Sequence, residues 1–249
     1  MLFNRGIRSG RNFSAQRWPL SRSSSSSSLS SYFTVMHEVI TEIEEKELCA
    51  YISSLLKRKR YEGEHWDSVI SKYKELELHK GRKLPARVNA TLKRLESTIK
   101  GSYNTKVSLI DPHVIDLDAE GRIGSHVDSV KHSGGVLCGL SLLSTRVMKL
   151  RVDQDSSNKH RYDDDEAVSM LLPPRSLYFL AGPCRYDFTH SILGKNEWDP
   201  MGACLEMAAD ADTYNAAVQR RLSIIWRDPV VTDLDEAPSL NVGERESRE

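Results

Sequence analysis

The stretch IGSHVDSVKHSGG places His126 and Asp128 two positions apart, just after a glycine. On a strand, side chains two apart project from the same face, so this pair can share one metal ion. A third donor would come from His190, in RYDFTHSI, or from His132 in the same stretch as the first two. His132 lies about 20 Å from His126 along an extended strand, so it joins them only if the chain turns back at once. Two histidines and one carboxylate on one face of a ferrous ion leave adjacent positions open for a substrate and dioxygen. Near the end of the chain, RLSIIWR puts Arg221 and Arg227 on one face of a further strand. A guanidinium inside a β core is costly unless a carboxylate pairs with it, and a dicarboxylate cosubstrate would supply that partner through a bidentate fork that lysine lacks. Without the histidines, two surface ion pairs would be the simpler reading of these arginines.

The elements that must position these groups are mostly short strands. From about residue 107 the chain reads as β-rich runs separated by turn residues: VSLI, HVIDL, VLCGLSLL, VMKLRV, VSMLL, SLYFLAG, CRYDFTHSI and RLSIIWR. Such a series without long intervening helices predicts a mainly β fold, a sandwich or barrel with helices packed on its N-terminal side. Thr41 and Glu44 form a capping-box pair ahead of Ile43, Leu48, Tyr51, Ile52 and Leu55, predicting one helix. A second helix is expected from about Pro85, with Val88, Leu92, Leu95 and Ile99 on its apolar side. Lys57 to Arg60, Lys80, Arg82, Lys83, Arg87, Lys93 and Arg94 read as solvated charge around these helices, or as a grip on an acidic partner. Residues 153–166 read as a solvated hairpin loop whose acidic side chains offer a minor cation-site alternative, and 196–219 as an insertion that is partly helical at best.

Residues 1–37 contain five arginines, no acidic residue and a serine run, the composition of a mitochondrial transit peptide followed by a Ser-rich linker. A disordered basic tail is the alternative. Setting the five arginines aside from 35 basic and 35 acidic residues leaves the remainder about five charges negative, unlike a general nucleic-acid binder. No apolar run reaches the length of a membrane span, so no membrane partner is expected. Cys49, Cys138, Cys184 and Cys204 are widely spaced and read as buried thiols. The expected organisation is leader and linker over 1–37, one domain over 38–228, and a disordered acidic tail over 229–249.

Taken in order, His126-Val127-Asp128, the RYDFTH run ending at His190, and Arg221 with Arg227 resemble the AlkB family of iron(II)- and 2-oxoglutarate-dependent dioxygenases, in particular a mitochondrial branch of it. The resemblance covers roughly 38–228 and implies a double-stranded β-helix, or jelly roll. It implies His126, Asp128 and His190 as iron ligands, Arg221 on the distal carboxylate of 2-oxoglutarate, Arg227 and Ser223 beside that cosubstrate, and the Tyr178 hydroxyl upon it. The implied chemistry is hydroxylation coupled to decarboxylation of 2-oxoglutarate to succinate, with dioxygen as co-reactant. Where the family's nucleic-acid demethylases carry Asn and Tyr ahead of the first histidine, this chain has Ile115 and Leu117, and the short span between Ile99 and His126 leaves little room for base-flipping lids. The expected protein is therefore a monomeric hydroxylase of a protein substrate in the mitochondrial matrix. That branch of the family is tied to alkylation- or oxidation-induced programmed necrosis and to fatty-acid metabolism. An RNA (tRNA) N-demethylase of mitochondria using the basic residues near Arg58 and Arg82, or a mainly non-catalytic signalling partner, are the alternatives.

The leader reading makes a direct prediction. Residues 1–40 fused to a fluorescent reporter should carry it into mitochondria, and diffuse cytosolic fluorescence would contradict the reading.

Overall fold

The computed structural model describes residues 15–16, 32–65, 67–103, 108–163, 167–197 and 211–230. Most of the expected leader and all but the first residues of the expected acidic tail lie outside these. Eleven strands in the described residues form one antiparallel sheet that folds over on itself. They are β1 (Ala15–Gln16), β2 (Phe33–Met36), β3 (Glu62–Glu64), β4 (Ile70–Glu77), β5 (His113–His126), β6 (Leu137–Leu142), β7 (Arg146–Val152), β8 (Ala167–Leu172), β9 (Ser176–Leu180), β10 (Phe188–Ile192) and β11 (Arg221–Arg227). The spatial order is β1-β2-β9-β6-β11-β5-β10-β7-β8, with the hairpin β3–β4 paired to β5 off this path.

β5 joins the two halves. Its first residues, His113 to Leu117, pair with β11 and β4, whereas Ile123 and His126 near its end pair with β10. The register slips against β4 between Leu117 and Arg122 and against β10 between Ile123 and His126, which is how a bulged strand bends from one sheet into the other. The bend leaves carbonyls without ladder partners. The fully buried Arg146 collects them, its Nη atoms donating to the carbonyls of Asp118, Ala119 and Gly121 and also to those of Leu193 and Gln219.

Alternation along the strands separates two cores. On β11, Leu222, Ile224 and Trp226 pack outward with Cys138, Leu140 and Phe179 against helices α1 (Glu42–Leu56) and α2 (Ala86–Ser102). Ile225 faces inward with Ile115, Leu137, Met148 and Tyr178, filling the space between the two halves. The capping box of α1 forms as its sequence predicts, with Thr41 Oγ1 accepting from the Glu44 amide and the Glu44 carboxylate accepting from the Thr41 amide. The buried face of α1 is Glu45, Leu48, Cys49, Ile52 and Leu56, so Ile43 points to solvent. The inward stripe is rotated from the expected one because Glu45 turns in, to accept from the Leu143 amide and pair with Arg175.

Four sequence expectations change. Residues 108–110 are not a strand, although Leu109 is buried. The run CRYDFTHSI divides into a short helix, α3 (Gly182–Tyr186), and β10, because Pro183 starts a helical turn that the Asp187 amide closes on the Pro183 carbonyl. The charged segment between α1 and α2 contains the hairpin β3–β4 rather than only solvated loop. The sheet also begins before residue 38, since Phe33–Met36 pairs with β9. A fourth helix, α4 (Ala211–Ala217), lies in the 196–219 insertion. In the 153–162 stretch, the Asp187 carboxylate ties the loop down by accepting from Ser156, Asn158 and Tyr162.

One cross-strand pair is unusually close. Gly139 on β6 sits opposite Tyr178 on β9, and a Cβ at Gly139 would lie 2.3 Å from the phenol oxygen. Gly139→Ala should therefore destabilise the protein by about 1–3 kcal/mol through overpacking. Urea unfolding checks this, and an unchanged midpoint would mean the ring has room to move.

Candidate active site

The end of β5, the turn after it, β10 and β11 meet at one cavity. His126 is the last residue of β5 and is the direct antiparallel partner of His190 on β10, with their ring centroids 4.3 Å apart. Asp128 lies not on the strand but on the turn beyond it, where the chain swings its carboxylate back between the rings. Its Oδ1 is 3.1 Å from His126 Nε2 and 3.5 Å from His190 Nε2. One donor atom from each of the three residues lies within 4.8 Å of the others, and this is the only group of three such residues able to hold a metal ion among the described residues. His132 is exposed and outside the group; its amide and that of Ser133 bond back to the Ser129 carbonyl, turning the chain away.

Hydrogen bonds orient the three donors. His126 Nδ1 lies 2.9 Å from the Gly124 carbonyl, which leaves Nε2 facing Asp128. The other carboxylate oxygen of Asp128, Oδ2, accepts from Arg227 Nε at 2.6 Å. Burial opposes ionisation of Asp128, but the bonds from both histidines and the Arg227 charge outweigh it and hold the carboxyl well below its ordinary range. For His190 burial dominates and lowers the value, whereas for His126 the bond and charge of Asp128 overcome burial and raise it. Arg227 thus touches the carboxylate of the triad and does not merely flank a cosubstrate site.

Deeper in the same cavity lie Arg221, Ser223, Tyr178 and the apolar Ile115. The inward residues of β11, at 221, 223, 225 and 227, follow the strand alternation, as the spacing of RLSIIWR requires. Arg221 is 1% exposed; its Nε donates to Ser141 Oγ at 3.0 Å, while its Nη2 is buried without a partner. Burial holds this guanidinium down to about 10. A buried cationic N–H without an acceptor is expensive, so the position is shaped for an anion. Ser223 Oγ reaches only the Ile115 carbonyl, at 3.5 Å. Burial pushes the Tyr178 phenol up to about 12, so it stays a neutral hydrogen-bonding hydroxyl. The donor set and the unpartnered guanidinium fit a divalent metal and a carboxylate ligand side by side.

Sequence reasoning did not single out Arg185, which holds the turn carrying Asp128, or the β3–β4 hairpin, whose Val69 carbonyl accepts from the Gly124 amide two residues before His126. The arginine had no visible signal beyond its place in RYDFTH. The hairpin had one, the alternating ISKYKELE, hidden by its charge.

Set against known families, the sequence model of the 2OG-Fe(II) oxygenase superfamily matches residues 27–227, and the chain belongs to that superfamily. Its name carries the group's metal and cosubstrate, iron(II) and 2-oxoglutarate. Within it the chain is similar to the alpha-ketoglutarate-dependent dioxygenase alkB homolog 7, mitochondrial, of Bos taurus, with 39% identity over 64% of this chain and 66% of that protein. The Mus musculus protein of the same name is 37% identical over the same shares. The chain thus spans slightly less than two thirds of the length of the curated relatives it matches. Among solved structures it resembles OsALKBH1 (TM-score 0.52, 14% identity, 79% of this chain and 96% of that one) and a prolyl-4-hydroxylase of Pseudomonas putida (TM-score 0.52, 9% identity, 82% and 95%). At such identities the likeness concerns the fold, a jelly roll as the resemblance implied.

The Arg227 contact yields a pH-dependent prediction for the metal-free protein. Because the folded value of Asp128 is depressed, its ionic bonds stabilise above the ordinary carboxylate value, about 3.9, and that stabilisation is lost as pH falls through the folded value. Arg227→Met should cost about 1.5–3 kcal/mol at neutral pH, the range for a hydrogen bond to a charged group. The deficit in urea midpoint should shrink as the pH is taken well below 4, whereas a deficit independent of pH would mean that only packing was lost.

Proposed function

We propose that this chain is a mitochondrial iron(II)- and 2-oxoglutarate-dependent dioxygenase that hydroxylates a protein side chain. In this reading His126, Asp128 and His190 hold the iron, Arg221 with Tyr178 and Ser223 holds the cosubstrate, and Arg227 keeps Asp128 aimed at the metal. The observation that carries it is the unpartnered buried Nη2 of Arg221 in the cavity that ends at the two histidines and the aspartate. A dicarboxylate held at that guanidinium would share the cavity with His126, Asp128 and His190, the residues that would hold the metal.

Bound iron(II) would supply the coupled activation of dioxygen and oxidative decarboxylation of 2-oxoglutarate to succinate and carbon dioxide, delivering an oxygen atom to the substrate. The chain's own share is binding and exclusion. Asp128 brings a negative charge that neutralises part of the cation, and the neutral rings of His126 and His190 supply nitrogen donors. Arg221 binds the distal carboxylate with a charged fork, and Tyr178, kept protonated, adds a neutral donor. Ile115, Ile123, Met148, Ile192 and Ile225 line the cavity with apolar surface, which keeps water from the reacting atoms.

The Arg-rich leader and the names of the relatives support import into mitochondria, with the matrix as destination. The apolar Ile115 on the cavity wall and the net acidic charge beyond the leader favour a protein over a nucleic-acid substrate. Programmed necrosis after alkylation or oxidation, and fatty-acid metabolism, are the processes proposed for it on family resemblance. A mitochondrial RNA (tRNA) as substrate is the second reading, favoured by the exposed basic residues 57–60 and by the hairpin β3–β4 beside Gly124. A mainly non-catalytic signalling role is the third.

Succinate release in the presence of candidate matrix peptides and of structured mitochondrial RNAs separates these readings, with release for peptides alone expected. Asp128→Ala should abolish tight iron binding and turnover while the protein stays folded; unchanged turnover would sink the triad. Arg221→Lys keeps charge but loses the fork, and should weaken 2-oxoglutarate binding by about 1.5–3 kcal/mol, or one to two powers of ten. Anaerobic titration of the iron-loaded protein, followed by the absorption of the chelate, measures it. Equal affinities would place the carboxylate anchor elsewhere.

A further inference from the structure

The turn that carries Asp128 has no strand to hold it, yet Asp128 is the donor that both histidines face. Its support comes from α3 and from the residue after β11. The Arg185 guanidinium, 1% exposed, donates from Nη1 to the Asp128 carbonyl at 2.9 Å, from Nη2 to the Ser133 carbonyl and hydroxyl at 3.3 and 2.8 Å, and from Nε to the Gly134 carbonyl at 3.2 Å. On the opposite side the Asp228 carboxylate accepts from the Val136 amide, and its backbone carbonyl accepts from the Gly134 amide. Carbonyls of one turn thus converge on a buried cation, and amides of the same turn on the Asp228 segment.

Such an arrangement is more than packing requires. A buried guanidinium without a paired carboxylate is costly, and a leucine or methionine would fill the volume more cheaply. What the fork adds is direction: three nitrogens in a rigid plane fix three peptide groups at once. Arg185 also stands on the element leading directly into β10, so it ties the turn bearing Asp128 to the segment bearing His190. Charge alone would not do this, since a lysine ammonium reaches one carbonyl at a time.

We propose that Arg185 is a positioning residue for the metal centre, fixing the Asp128–Gly134 turn so that the carboxylate stands ready between His126 and His190 before any metal arrives. The inference rests on the reading of His126, Asp128 and His190 as metal ligands. Preorganisation of this kind appears in metal affinity and ligand-field geometry, not chiefly in global stability.

Cobalt(II) is a suitable probe, because its visible absorption reports ligand geometry without turnover. Wild type, Arg185→Lys, Arg185→Met and Asp128→Ala would be titrated with cobalt(II), with urea midpoints measured metal-free. Wild type should bind, and Asp128→Ala should not; if Asp128→Ala binds as wild type does, the ligand assignment fails, and the inference with it. With those controls in place, both Arg185 variants should bind cobalt(II) at least tenfold more weakly, with an altered visible spectrum. The lysine variant should fare little better than methionine, although it keeps the charge. Wild-type affinity and spectrum in Arg185→Lys, whatever its stability, would overturn the inference. If Arg185→Met does not fold, the lysine variant alone decides.

Discussion

The site depends on one cross-strand register. His126 and His190 face each other because β5 and β10 pair with these two residues as direct partners. Side chains alternate with period two, so a slip of one residue would carry His190 to the opposite face of the sheet and leave Asp128 with a single histidine. The pairing is itself the product of a bulge, since three steps along β5 from Ile123 to His126 match two steps along β10 from Ile192 to His190. Arg146 holds the strand in its bent course upstream of that point by taking up the carbonyls the bend releases. A surface hairpin could drift in register; a strand pinned on both sides of its bend cannot do so cheaply.

Three arginines are almost fully buried here, and their surroundings differ in an informative way. Arg146 and Arg185 spend their Nη groups on backbone carbonyls and are held by the protein itself. Arg221 has one hydroxyl and leaves Nη2 empty. The first two shape the scaffold at a desolvation cost repaid by many hydrogen bonds, although Arg146 Nε is left without a partner, whereas the third has an unmet Nη2 and lines the cavity. The distinction lies in partners, not in burial, and three equally buried guanidiniums look alike until their acceptors are traced.

That is also the dividing line between what was legible in the chain and what was not. RLSIIWR announces its own geometry, since strand alternation puts Arg221, Ser223 and Ile225 on one face and Leu222, Ile224 and Trp226 on the other whatever surrounds them. The capping box at Thr41 is equally local. His126 and Asp128 were legible as a pair, but Asp128 reaches its place through a turn, not by strand periodicity. Arg185 was illegible because, the Ser133 hydroxyl apart, its partners are backbone carbonyls some fifty residues away in sequence, and carbonyls carry no residue code. β4 was obscured because its face toward solvent is charged, and the inward swing of Glu45 rotated the stripe of α1 away from its most hydrophobic line.

The strand Phe33–Met36 has a further meaning. It covers β9, with Val35 opposite Tyr178, and so supplies the ladder partner of the strand that carries the phenol. Loss of residues from the N-terminal side is thereby constrained. A cut before Phe33 leaves β9 paired, but one beyond Met36 would bare a run of backbone donors and acceptors along Leu177–Leu180, an open template for another chain. The N-terminal limit of the folded unit is thus set by a hydrogen-bonded ladder, and a truncation that overshoots it would trade a covered sheet for a self-associating one.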